Sequence, residues 1–85
     1  MPASRRMFRR DPPMYAWSMK LNPRADRHRK AAATHEEAAD RHDEAAEHWL
    51  ERGQDERADF ERRNAVIERD AAQLERDRAD FLDGR

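Results

Sequence analysis

The stretch AAATHEEAADRHDEAAEHW, residues 31–49, decides the fold. A ring side chain returns every seven residues, at His35, His42 and Trp49, one repeat after His28, with alanines three and four positions away. Read outward, the register becomes RADRHRK, AAATHEE, AADRHDE, AAEHWLE, and no proline or glycine interrupts it from Arg24 to Arg52. Residues three, four and seven apart share one face of a helix. An apolar repeat of seven is the seam of a left-handed coiled coil. One seam column is then Ala25, Ala32, Ala39 and Ala46; the other is His28, His35, His42 and Trp49.

Gly53 stops this helix, and Asp55 is placed to cap a second one. The second helix repeats in the same way, as RADFERR, NAVIERD, AAQLERD, RADFLDG, and Gly84 ends it. Its large column is Phe60, Ile67, Leu74 and Phe81, beside Arg57, Asn64, Ala71 and Arg78. The fold class expected is all-α: an antiparallel helical hairpin, coiled-coil-like with an alanine-rich seam. Helix 24–52, turn 53–55 and helix 56–83 form it, each helix about 42 Å long. Folding back at Gly53 sets Ala46 against Phe60, Ala39 against Ile67, Ala32 against Leu74 and Ala25 against Phe81. Trp49 then meets Arg57, His42 meets Asn64, His35 meets Ala71, and His28 meets Arg78. Every small residue meets a large one, the volume matching a packed interface needs. The columns Ala31, Ala38, Ala45 and Ala58, Ala65, Ala72, Ala79 lie outside this seam. Through them two hairpins could pack as a four-helix bundle.

Composition explains why a second copy or a partner is expected. Of 85 residues, 44% are charged, and only nine are Leu, Ile, Val or Phe. A core from so few large side chains supplies little stability. With no cysteine there is no disulfide. No apolar run approaches the ~18 residues of a membrane span, and no continuous apolar segment suggests a secretory signal. The expected location is cytoplasmic. Sixteen of the eighteen basic residues are Arg and fifteen residues are Ala, which fits a GC-rich bacterial genome.

The near-zero net charge of −1 conceals three blocks. Residues 1–30 carry nine basic residues against two acids, residues 31–56 two against nine, and residues 57–85 seven against eight. Residues 1–23, MPASRRMFRRDPPMYAWSMKLNP, hold all four prolines and all four methionines, so they read as an extended arm. Arg5, Arg6, Arg9 and Arg10 surround Phe8, and Tyr15 and Trp17 follow. These seven residues are the candidate partner-binding set, because Arg, Trp and Tyr are favoured at protein interfaces. The same chemistry suits nucleic acid, where phosphates take guanidinium and bases take rings. The arm could also turn back onto the acidic helix.

Catalytic chemistry finds no footing: no Ser–His–acid set, glycine-rich phosphate loop or metal motif appears. Residues seven apart on a helix are ~10 Å apart, too far to share one zinc. Glu44 and His48 are the only ligand-spaced pair on one face. No cofactor or metal is expected. The histidines read instead as semi-polar spacers in the seam. Facing Asn64 and Ala71, they would resist charging, so helicity or association should drop between pH 7 and 5.

Through AAATHEEAADRHDEAAEHW, Gly53 and RRNAVIERDAAQLERD, residues 24–83 resemble small His/Ala-rich two-helix proteins of uncharacterised bacterial, actinobacterial-like families. That resemblance implies a helical hairpin and no known activity. The function expected is a non-enzymatic adaptor or accessory subunit. Its arm, residues 1–22, binds a protein partner, and its hairpin packs or forms a homodimer. The alternatives are nucleic-acid binding through the basic arm and a self-assembling helical bundle with a disordered arm.

Overall fold

The computed structural model describes residues 22–84, which form two long helices, α1 (Pro23–Glu51) and α2 (Asp55–Leu82), packed as an antiparallel hairpin. Each boundary stands one residue before the position expected. The candidate partner-binding residues Arg5, Arg6, Phe8, Arg9, Arg10, Tyr15 and Trp17 lie outside the described residues.

Asn22 starts α1. Its side-chain oxygen accepts from the amides of Arg24 at 3.0 Å and Ala25 at 3.2 Å, Pro23 occupies the first turn where no amide is needed, and Asp26 faces the positive helix end. The same side chain then reaches across the hairpin. Its Nδ2 donates to the Leu82 carbonyl at 3.2 Å, satisfying a group left open at the end of α2. One asparagine thus caps the start of one helix and the finish of the other.

At the opposite end the Gln54 amide bonds the Trp49 carbonyl at 2.8 Å, and the Gly53 amide bonds the Leu50 carbonyl at 3.0 Å. This is the Schellman pattern, and it needs the left-handed backbone that Gly53 supplies at φ 74°. Asp55 is not the cap of α2. Gln54 precedes the helix without a side-chain capping bond, and Asp55 and Glu56 act from inside its first turn.

The core is eight alanines: Ala25, Ala32, Ala39 and Ala46 from α1, and Ala58, Ala65, Ala72 and Ala79 from α2, none more than 3% exposed. The α1 half of the expected seam stands, with His35, His42 and Trp49 half-buried beside its alanines. The α2 half does not. Phe60, Ile67, Leu74 and Phe81 are 65, 63, 50 and 80% exposed, Asn64 is exposed, and Ala71 is half-buried. Relative to expectation α2 is turned by about 100°, the angle of one residue.

The cause is a second way of closing an alanine layer. A large side chain can fill it, or the two backbones can approach until methyl meets methyl. With alanine on both helices the axes come to the close end of the ~8–10 Å range. Only that approach lets side chains at the seam's edges reach across. Ile or Phe in the layers would hold the axes apart and forfeit those bonds.

Candidate functional site: a histidine–glutamate ladder and an apolar stripe

Beside the alanine layers, three imidazoles of α1 meet three carboxylates of α2. Nδ1 of His28 lies 2.6 Å from Glu75, Nδ1 of His35 lies 2.6 Å from Glu68, and Nδ1 of His42 lies 2.7 Å from Glu61. The heptad puts each histidine three residues after a buried alanine, and each glutamate stands three after a buried alanine of α2. The two positions are level because the helices are antiparallel. The expected neighbours Asn64, Ala71 and Arg78 are thus replaced by carboxylates. Trp49 continues the column and does meet Arg57, whose guanidinium carbon sits 4.6 Å over the ring. His48, proposed as spaced for a ligand with Glu44, instead packs edge-on to Trp49 at 5.1 Å.

A carboxylate oxygen can only accept, so in each rung the imidazole Nδ1–H is the donor. At the open end Glu75 receives His28 and Arg78 together. The hydrogen bond from His28, opposed by desolvation and helped by both cations' charge, holds the Glu75 carboxyl below its ordinary value of 4.5.

The seam's other edge carries a second ladder of opposite composition. Asp43 and Asp40 bind Arg69 at 2.6 and 3.2 Å, Glu36 binds Arg76 at 2.9 Å, and Arg29 binds Asp83. Asp43 foremost, then Asp40, raises the pKa of the Arg69 guanidinium above its ordinary value. The rung order is acid-on-α1 at two levels and base-on-α1 at the third, so only one register satisfies all three. Exposed pairs like these are each worth ~0–1 kcal/mol. Their value here is in selecting register where identical alanine layers would tolerate a slip.

Thr34, the only hydroxyl side chain among the described residues, donates to the Lys30 carbonyl at 3.1 Å. Among the described residues no three His, Cys, Asp or Glu side chains are grouped to hold a metal ion.

The large apolar side chains are the second feature. Phe60, Ile67, Leu74 and Phe81 form a straight stripe along the solvent side of α2, with Val66 58% exposed next to it. At seven-residue spacing the stripe runs ~31 Å. None of the seven Leu, Ile, Val and Phe residues among the described ones is buried. At the open end the stripe enters a groove of about 350 Å³ lined by Arg24, His28, Asp77, Arg78, Phe81 and Leu82. The stripe and the ladder therefore share one side of the hairpin. Sequence reasoning found these four residues but put them inside. The ladder's glutamates it missed, although their seven-residue recurrence, at Glu61, Glu68 and Glu75, was there to read.

No helix among the described residues is long and apolar enough to cross a membrane. No protein-family model, no curated protein and no solved structure matches this chain.

Proposed function

We propose that this chain is a non-enzymatic adaptor or accessory subunit, working in the cytoplasm. Its residues 1–22 engage a protein partner, and its hairpin presents an association face. The supporting observation is the stripe of Phe60, Ile67, Leu74 and Phe81, half or more exposed on a helix that is otherwise charged. Contiguous exposed apolar surface rimmed by charge marks an interaction site on a soluble protein. Residues 22–84 carry twelve basic and eighteen acidic residues. Such a hairpin repels phosphate, so nucleic acid is the less favoured partner.

The experiment compares capture from cell extract by three chains: the full chain, a chain starting at Asn22 so that both its caps survive, and Ile67→Glu/Leu74→Glu. Each is run with and without nuclease. An adaptor loses protein partners on removal of residues 1–21, on charging of the stripe, or on both, and nuclease changes nothing. Partners that vanish with nuclease, or that are identical for all three chains, overturn the reading.

A further inference from the structure

The association face has a shape that identifies its occupant. On α1, the half-buried column Ala31, Ala38 and Ala45 lies on the same side as the ladder, one position outside the imidazoles. On α2, Ala71 and the apolar stripe lie outside the glutamates on that side. The hairpin's broad face is therefore shallow along α1 and raised along α2, with the ladder between. Around α2, measured from its buried alanines, the glutamates stand at about 60°, Ala71 at about 100° and the stripe at about 160°, so the band they form together is centred near ~110° from the contact with α1. Neighbouring helices in a four-helix bundle stand at about that angle.

We infer that this face is covered by a second copy of the chain, turned about a twofold axis parallel to the helices, so that each copy's α2 stripe seats in the other's α1 alanine column. This rests on the reading of the hairpin as an association module and names its partner. The twofold keeps levels, and the ladder gives them: residue 68 is level with residue 35. Phe60 then meets the second copy between Arg41 and Ala45, Ile67 between Thr34 and Ala38, and Leu74 between Arg27 and Ala31. Each large side chain enters a gap floored by an alanine, as a knob enters a hole.

Charges agree along the outer border. Arg63 comes level with the gap between the second copy's Glu37 and Glu44, and Asp77 lies within a turn of its Lys30. Stacking stripe on stripe with the helices reversed would instead set Asp70 against Asp70 at the axis. It would also leave a wedge, wide at the phenylalanines and narrow at the alanines. The ladder comes between the two copies with every carboxylate already bonded to an imidazole, as buried charge requires.

The area is sufficient. Taking ~200 Å² for a large residue, the stripe's exposed fractions give ~500 Å² per copy. Alanines and flanking stems bring this toward the ~800 Å² per partner of a stable interface. A self-complementary surface closes at two copies, whereas a one-sided match would propagate.

The chain has no cysteine, so two single-cysteine variants test the arrangement cleanly. Full-length Ile67→Cys and Ala38→Cys are mixed and oxidised gently, and each is oxidised alone. Mass is measured over a concentration series for the unmodified chain, for the chain starting at Asn22, and for Ile67→Glu. The expected results are a mass of twice 10.1 kDa for the unmodified chain, a monomer for Ile67→Glu with unchanged helicity, and a crosslink that forms best in the mixture. Three results overturn the inference: a monomer at every concentration, a dimer that appears only once residues 1–21 are removed, or crosslinking of Ile67→Cys to itself in preference to the mixture. A monomeric chain whose partner capture still depends on the stripe would overturn the second copy and leave the adaptor standing.

Discussion

Ile67 and Ala65 stand two residues apart on α2 and between them decide the register. Ile67 is 63% exposed and Ala65 is 1% exposed. Fully burying an isoleucine is worth ~1.5–3 kcal/mol, so the third of Ile67 that is covered is worth ~0.5–1 kcal/mol at most. Alanine is also the better helix former by a few tenths of a kcal/mol, which offsets part of that. Ile67→Ala should therefore cost the single hairpin less than ~1 kcal/mol. Ala65→Leu adds three carbons to a layer closed methyl against methyl with α1. Overpacking costs ~1–3 kcal/mol, and here it also forces the helices apart beside His35–Glu68 and His42–Glu61. The assay is urea unfolding followed by circular dichroism, over a concentration series taken down to where the midpoint no longer changes, so that self-association drops out. If Ile67 instead faced Ala39 inside the seam, its truncation would cost ~2–5 kcal/mol. Ala65→Leu would then sit on the surface within ~0.5 kcal/mol of neutral. That reversed ranking at low concentration would refute the alanine core.

The Glu75 carboxyl is held below 4.5, so its contribution is present above that pH and is lost as pH falls further through the folded value. Glu75→Gln should flatten part of the fall in melting temperature below pH 4.5. Asn22→Ala removes a cap and a cross-hairpin bond together, so ~1–3 kcal/mol should be lost in chemical unfolding. Asn22→Asp, which keeps the acceptor and loses the donor, should recover only part of it. Gly53→Ala meets nothing within 4 Å but must hold φ 74°, so it should cost ~1–2 kcal/mol through backbone strain alone, with the helical content of both arms unchanged.

The hairpin was legible because its signals are local. Asn22–Pro23, Gly53 and Gly84 mark ends by their own chemistry, and an unbroken heptad over Arg24–Arg52 admits only helix. The rotation of α2 was not legible by the rule applied. That rule sent the largest apolar side chains inward, which holds where cores are built by filling volume. On α2 two heptad columns compete, one of alanine and one of Phe, Ile, Leu and Phe. The choice depends on what faces them. The deciding clue was electrostatic and lay on two helices at once: histidines every seven residues on α1 and glutamates every seven on α2. Each column alone reads as solvated polarity. Together, in antiparallel order, they bond only when the alanines are inside.

The same rotation gives the molecule its surface. Eight buried methyl groups contribute only ~6 kcal/mol of apolar burial, little against the ordering of two helices of 29 and 28 residues. The ladders add direction more than strength, since exposed ion pairs are individually weak. A sequence selected for the lone hairpin would have moved its scarce large side chains into the seam. This one keeps alanine there and holds Phe60, Ile67, Leu74 and Phe81 at strict heptad spacing on the outside, where they cost solubility and return little to the isolated fold. Spacing of that regularity has a physical use only against another helix running alongside. Under the proposed pairing of two copies, the alanine seam is the means by which the hairpin keeps its register, and the stripe supplies the stability that the alanine layers lack.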